Sequence, residues 1–288
     1  MTNGSERIAV VGAGTMGHGI AQVAAAAGYD VALIDSAADR ADAGLARIRE
    51  NLDGGVRRGK VTTEARDAAL ARVHATTDLA AAVGDAALVV EAVPERMELK
   101  AAVFRQLDTH APADCVFATN TSSLSITDLQ RKTARPARVL GLHFFNPVHI
   151  NRLVEVVRGR DTAEPVVERA LAFVRRLDKE PVVINDSPGF ATSRLGVLLG
   201  LEAMRMVEEG VASAEDIDRA MELGYRHPMG PLKLTDLVGL DVRLDIARYL
   251  HEQLGAEHFR PPRLLSDMVA AGKLGQKSGE GFYRWDEP

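Results

Sequence analysis

The sequence predicts an α/β fold: a parallel sheet alternating with helices, followed by an all-helical domain. Three observations predict it. Short apolar runs alternate with helical stretches from residue 7 to about 145, a glycine-rich turn follows the first run, and the periodicity becomes purely helical near "NDSPGF" at 185–190. Alternation of this kind implies a parallel sheet with helices on its faces. A chain of 288 residues is long for one core and suggests about two domains. The expected division is therefore 1–186 and 187–288.

Each element has its own signal. "RIAVV" (7–11) is a short apolar run closed by glycines, as a buried parallel strand would be. "MGHGIAQVAAAAG" reads as an alanine-rich helix stopped at Gly28, and "DVALID" as the second strand. Residues 38–72 are polar, rich in Arg and Ala, and helical in character. "ALVVEAV" (87–93), "CVFATN" (115–120) and "RVLGLHFF" (138–145) are further strands, with a helix over "RMELKAAVFRQLDTHA". In the second domain, "RLGVLLGLEAMRMVEEG" (194–210) is apolar over most of its surface and is expected in a core or a subunit interface. "SAEDIDRAMELG" starts on a capping-box-like Ser213 and Asp216 and is expected to stop at Gly224. Later helices are expected over about 235–254 and 261–271.

Composition excludes several classes. A net charge of −5 argues against general nucleic-acid binding, which needs a clustered positive excess. A single cysteine, Cys115, rules out an internal disulfide or a CxxC metal or redox motif and fits a reducing cytoplasm. No apolar stretch reaches the roughly 18–20 residues a bilayer span needs, and the N-terminus lacks a signal-peptide layout. No metal-ligand cluster stands out.

"GAGTMG" places Gly12, Gly14 and Gly17 in G-x-G-x-x-G spacing between a strand and a helix. The first glycine permits the tight turn, the second lets backbone approach a pyrophosphate, and the third lets helix pack against strand. The helix N-terminus then offers unpaired N–H groups to the phosphates, with Thr15 and Met16 on the same turn. Asp35 ends the second strand eighteen residues past Gly17, where a carboxylate can accept hydrogen bonds from a ribose 2′-hydroxyl. Together these indicate a Rossmann-type dinucleotide-binding domain. Asp35 would repel a 2′-phosphate, so NAD is favoured over NADP; Arg40, five residues on, reads as a solvated helix residue.

"GLHFFNPVHINRLVEVV" (141–157) closes an apolar strand on His143, turns through Asn-Pro, and returns with one glutamate, Glu155. A lone histidine in such a run usually only satisfies a backbone carbonyl. The motifs around it change that reading. "GAGTMGHGIA", "VVEAVPERMELK", "TNTSSLSIT", "GLHFFNPV", "LVEVV", "SPGF", "HPMGPLKLTDLVGLD" and "GKLGQKSGEGFY", in order from about residue 6 to 285, resemble the L-3-hydroxyacyl-CoA dehydrogenase family. They are most similar to its short bacterial 3-hydroxybutyryl-CoA dehydrogenases.

The resemblance implies NAD-dependent interconversion of (S)-3-hydroxyacyl-CoA and 3-oxoacyl-CoA, with short chains preferred. It implies His143 as general acid/base, Glu155 as its partner, and Ser122 as hydrogen-bond donor to the substrate's 3-oxygen, beside the nicotinamide. Imidazole suits such a proton transfer. Spacing alone does not separate Ser122 from Ser123 or Ser125, since serines after a strand often cap the next helix. Asn146, Glu95, Lys100 and Lys277 match cofactor-contacting positions; Glu95 and Lys100 could equally form an ordinary exposed ion pair. Arg57, Arg58 and Lys60 in "VRRGK" match the region that contacts CoA. Ser193 stands where the family carries an asparagine near the substrate, which puts rate or acyl preference in doubt rather than reaction class. The family also implies a homodimer through the helical domain. Two other readings stand beside it: a dehydrogenase of a free hydroxy acid or sugar acid, and a non-catalytic dinucleotide-binding protein.

Overall fold

A computed structural model describes residues 6–285 and divides the chain into two compact units, with the boundary between Ser187 and Pro188. The first unit is an eight-stranded sheet in the order β3-β2-β1-β4-β5-β6-β7-β8. Its strands are β1 (Arg7–Val11), β2 (Asp30–Ile34), β3 (Val73–Thr76), β4 (Leu88–Glu91), β5 (Val116–Thr119), β6 (Val139–Phe144), β7 (Leu153–Arg158) and β8 (Glu180–Asn185). Central β4, β5 and β6 are buried at every residue, as strands covered on both faces must be.

The sheet is not wholly parallel. β7 runs antiparallel to β6, and β8 runs parallel to β7, so the last two strands oppose the rest. The connection explains the reversal. Only eight residues join β6 to β7, too few for the crossover a parallel neighbour needs.

The connecting helices are α1 (Gly17–Ala26), α2 (Ala38–Arg57), α3 (Thr63–Leu70), α4 (Leu79–Val83), α5 (Met97–His110), α6 (Ile126–Gln130) and α7 (Glu164–Arg176). The polar stretch 38–72 forms two helices parted by a turn at Gly59, whose φ is 65°. β3 and β8 lie outside the sequence expectation. β3 alternates weakly and has only one fully buried residue, while β8 carries Pro181 and is largely exposed at the sheet edge.

The second unit consists of α8 (Thr192–Glu208), α9 (Ala214–Tyr225), α10 (Pro231–Val238), α11 (Leu240–Leu254) and α12 (Arg263–Ala270). Its core is built from Val197, Leu201 and Met204 of α8 with Leu232, Leu244 and Leu265. Ser213 caps α9 by accepting from the Asp216 N–H at 3.1 Å. Two expectations need correction. α9 runs through Gly224 and ends on Arg226, which takes the left-handed conformation, with the His227 N–H returning to the Met221 carbonyl. The stretch expected as one helix over 235–254 is two, parted at Gly239 with φ 102°. α10 starts earlier because Pro231 suits a first helical position.

Buried Asp236 holds the last described segment. Its carboxylate accepts from the Phe282 and Tyr283 N–H groups and the Trp285 indole, each at 2.9 Å. A Cβ on Gly281 would fall 2.3 Å from that carboxylate, which accounts for the glycine in "GEGFY". Among the described residues, no helix is long and apolar enough to cross a membrane. Asp236→Ala is expected to strand three donors and lower stability by about 3 kcal/mol or more. Denaturant unfolding, with Trp285 fluorescence shifting red in the native baseline, checks this.

Candidate active site

The glycine turn fits its expected task. Gly12 has φ 102°, and a Cβ there would meet the Ala92 carbonyl at 2.6 Å. A Cβ on Gly17 would fall 1.6 Å from the Gly12 carbonyl, so α1 packs directly on the turn. Gly14 and Thr15 are exposed, Met16 is half-buried, and a Cβ on Gly14 would meet nothing within 4 Å. That leaves room for a diphosphate at the start of α1. Asp35 accepts from the Ala13 N–H at 2.9 Å and from the Ser36 N–H at 2.8 Å, one oxygen each. It thus braces the turn; the Ser36 hydroxyl also donates to Oδ1 at 3.3 Å, and Oδ2 keeps a second acceptor site for a ribose hydroxyl.

His143 and Glu155 are register partners across the antiparallel β6–β7 ladder. Directly opposed residues project to the same face. The His143 Nδ1 lies 2.7 Å from the Glu155 Oε2, with the histidine 7% and the glutamate 1% exposed. A carboxylate can only accept, so Nδ1 carries the proton and Nε2 is the basic nitrogen. The Phe145 ring packs against the imidazole at 4.4 Å.

The turn between these strands is braced from behind. Asn146–Pro147 is a cis peptide, and exposed Asn146 has its carbonyl bonded by the Asn151 amide at 2.8 Å. Buried Lys179, just before β8, donates to the Val148 and Asn151 carbonyls at 2.5 and 2.6 Å. Burial pulls its pKa down. Val148 packs where a Cβ on Gly19 of α1 would stand. Asn120, at the end of β5, accepts from the Phe144 N–H at 3.0 Å, tying the tip of β6 to β5.

A second polar network supports the loop after β5. Glu91, fully buried at the end of β4, accepts from Lys100 at 2.9 Å, from the Thr119 hydroxyl at 2.6 Å and from the Val93 N–H at 2.7 Å. Burial raises the Glu91 pKa despite those donors. Lys100 is not the exposed residue that the sequence allowed. It is fully buried, and its ammonium is shared among Glu91, the Val93 carbonyl and Glu95. Its position is behind Glu95 rather than on the surface. Glu95 in turn accepts from the Thr121 hydroxyl at 2.5 Å and the Ser122 N–H at 3.0 Å. Burial pushes the Glu95 pKa up, but the Lys100 charge and these donors outweigh it and hold it below the ordinary value.

The three serines now part company. Ser125 is the cap of α6, accepting from the Asp128 N–H at 3.1 Å. The Ser122 and Ser123 hydroxyls both lean on Glu95, at 3.5 and 3.3 Å. Glu91, Thr119, Thr121, Asn120 and Lys179 were missed by sequence reasoning. Glu91 left a signal: a carboxylate inside the apolar run "ALVVEAV" has to be paired.

Arg57 ends α2, and Arg58 and Lys60 follow; all three are exposed. His149, on the β6–β7 turn, has its pKa lowered by burial and by the nearby charges of Arg58, His18 and Lys179. The charge of the basic turn is therefore felt at the β6–β7 turn. Within the second unit, Ser193 is half-buried in the first turn of α8. Lys277 pairs with Asp241 at 2.5 Å. Among the described residues, no group of three His, Cys, Asp or Glu side chains could hold a metal ion.

Comparison with known proteins gives the family. A sequence profile described as 3-hydroxyacyl-CoA dehydrogenase, NAD binding domain, matches residues 7–187, and the corresponding C-terminal domain profile matches 189–285. The chain is 46% identical over 287 residues to a Mycobacterium tuberculosis protein named 3-hydroxybutyryl-CoA dehydrogenase, covering 99% of this chain and 100% of the relative. It is 42% identical over 290 residues to a mitochondrial protein of Sus scrofa named hydroxyacyl-coenzyme A dehydrogenase, covering 97% and 91%. A crystal structure of (S)-3-hydroxybutyryl-CoA dehydrogenase from Ralstonia eutropha matches with a TM-score of 0.95 at 37% identity, covering 99% of this chain and 100% of that one.

The buried Glu91–Lys100 pair yields a test. Lys100→Met strands a carboxylate in the sheet and is expected to cost about 3–5 kcal/mol. Lys100→Met with Glu91→Gln removes the bare charge and is expected to recover part of that loss in denaturant unfolding. Equal losses in both variants would mean that the charge pairing is not what stabilises the loop.

Proposed function

The chain belongs to the 3-hydroxyacyl-CoA dehydrogenase family, and from that premise we propose that it interconverts (S)-3-hydroxyacyl-CoA and 3-oxoacyl-CoA with NAD, short acyl chains preferred. The observation that carries this reading is the buried His143–Glu155 pair on facing strands. Residues 1–186 act as the NAD-binding domain, and 187–288 as the helical domain that takes part in substrate binding and dimerisation.

Bound at the Gly12–Gly17 turn, NAD supplies the acceptor or donor of the substrate's C3 hydride. The chain's residues handle the proton. In oxidation, the His143 Nε2 takes the 3-hydroxyl proton as the hydride leaves carbon, and the ring becomes cationic. Glu155 keeps Nε2 aimed by holding Nδ1–H, and its charge stabilises the imidazolium, the logic of the carboxylate in a hydrolase triad. Ser122, steadied through its own N–H by Glu95, donates to the 3-oxygen. In reduction each step runs backward.

Asp35 selects NAD by accepting ribose hydroxyls and repelling a 2′-phosphate. Asn146 and Glu95 border the nicotinamide side, Lys100 acts by positioning Glu95, and Lys277 and Ser193 contribute from the helical domain. Arg57, Arg58 and Lys60 meet the phosphates of CoA. A single buried thiol, Cys115, whose burial pushes its pKa up to about 12, suits a reducing cytoplasm.

Absorbance of NADH with acetoacetyl-CoA tests the reading, run beside NADPH and free acetoacetate. Oxidation of NADH with the thioester alone is expected; equal turnover of the free acid would move the chain to the hydroxy-acid reading. His143→Gln is expected to lower kcat by about 10²–10⁴ with a far smaller change in KM. A fall of only a few-fold would remove His143 from the chemistry.

The helical domain also supports a homodimer. Leu195 and Leu199 of α8, Leu223 and Tyr225 of α9, and Leu234 and Leu237 of α10 are all exposed, Tyr225 at 77%. Apolar side chains in such number on one small domain mark an association surface. Leu195→Glu with Leu199→Glu is expected to shift the mass measured by light scattering from two chains to one. An unchanged mass would place the interface elsewhere.

A further inference from the structure

A line of three charges runs outward from the sheet to the loop that follows β4. Glu91 is fully buried, and the Lys100 ammonium reaches both of its oxygens, at 2.9 and 3.1 Å. Glu95 stands at the outer end, its Oε2 farther from the same ammonium, at 3.4 Å. Lys100 thus neutralises Glu91 first, and the outer carboxylate keeps most of its negative field. The Thr121 hydroxyl and the Ser122 N–H both donate to the Glu95 Oε1. Burial opposes ionisation, but Lys100 and these donors outweigh it and keep Glu95 ionised at neutral pH. Holding the loop does not require that charge. A glutamine oxygen would accept from the same two donors, and an apolar residue at 100 would then avoid the cost of burying an ammonium. The chain keeps the charge nonetheless, which points past the loop to what lies in front of it.

The sheet order gives the position of Glu95 against a bound dinucleotide. Such a ligand lies across the carboxyl ends of the strands, one nucleotide on each side of the point where strand order reverses. Here that point lies between β1 and β4. Asp35, just past β2, marks the adenosine side. Glu95 follows β4 and Ser122 follows β5, so both belong to the nicotinamide side. The Gly12 turn abuts the start of the β4 loop, since a Cβ on Gly12 would stand 2.6 Å from the Ala92 carbonyl.

We infer that Glu95 selects the redox state of the cofactor, its fixed charge favouring oxidised NAD over NADH. The inference rests on the NAD-dependent reading above. The nicotinamide ring of oxidised NAD is a cation, whereas that of NADH is neutral, so a carboxylate beside it attracts only the first. Reduction of a 3-oxoacyl thioester moves a hydride, with its electron pair, from the ring C4 to the substrate C3. The His143 imidazolium gives its Nε2 proton to the 3-oxygen in the same exchange. The positive charge that leaves His143 therefore reappears on the nicotinamide. Glu155 stabilises that charge at one end of the exchange and Glu95 at the other. Asp35 discriminates NAD from NADP; Glu95 discriminates the two redox states of NAD.

The test is the ratio of dissociation constants for oxidised NAD and NADH, measured by titration calorimetry on wild type, Glu95→Gln and Glu95→Asp. ADP-ribose, which lacks the nicotinamide, is titrated beside them. Glu95→Gln keeps an acceptor for Thr121 and Ser122 and removes the charge. It is expected to weaken oxidised NAD about tenfold and to leave NADH and ADP-ribose within about twofold. Glu95→Asp, which keeps the charge on a shorter stem, is expected to retain more of the wild-type ratio. An unchanged ratio in Glu95→Gln, including an equal loss for both redox states, would overturn the inference and leave Glu95 as a brace of the loop. An equal loss of the ratio in both variants would overturn it as well, because charge would not be what matters. Loss of ADP-ribose binding in Glu95→Gln would do the same, making the charge structural. Binding of ADP-ribose and turnover of acetoacetyl-CoA by wild type are scored separately, so failure of the underlying reading is seen independently.

Discussion

The reversal of β7 is the constraint on which the candidate chemistry depends. A parallel neighbour would need a long crossover and would return its side chains in another register. The short Asn-Pro turn instead brings the chain straight back, and antiparallel pairing sets Glu155 opposite His143. One residue of slip would turn the glutamate to the other face of the sheet. Register here is fixed from several sides: β8 pairs with β7 along six residues, Lys179 holds the turn's carbonyls, and Asn120 pins the tip of β6. The pair is preorganised by backbone hydrogen bonding before any ligand arrives.

The same economy governs the loop that carries Ser122. Its support is a chain of charges running inward, from Glu95 to Lys100 to Glu91, ending in the fully buried middle of the sheet. Buried ions are costly to desolvate, and replacing them by apolar groups often stabilises a fold. Their presence beneath a candidate site fits a positioning role: an apolar substitute could pack there but could not orient Glu95 beneath the Thr121 hydroxyl and Ser122 N–H. Arg243 in the helical unit is the contrasting case, a buried side chain whose Nε has no hydrogen-bond partner among the described residues.

Much of this was legible in the sequence for identifiable reasons. β1, α1 and β2 are local in character: an apolar run, glycines at required spacing and a carboxylate at a strand end suffice to read them. The His143–Glu155 pairing was implied by the family resemblance, and the short turn before a returning apolar strand is compatible with it. β3 and β8 were not, since one is brief and half polar and the other is an exposed edge containing proline. The break at Gly239 was hidden because glycine within a helical pattern is tolerated as often as it is disruptive. Lys100 could not be placed because a lysine in a helical stretch looks solvated unless its partner, Glu91, is known to lie beneath it in the sheet. Arg243 is the same problem: its burial is a property of packing that no local pattern encodes.

The central claim is that Glu155 acts through His143 rather than beside it. A double-mutant cycle on kcat/KM, using His143→Gln, Glu155→Gln and the double variant, measures this most directly. The account predicts a large loss for Glu155→Gln in the wild-type background and almost none once His143 is gone, because a group that only aims the imidazole has nothing left to aim. Losses that simply add would contradict it and make Glu155 an independent contributor.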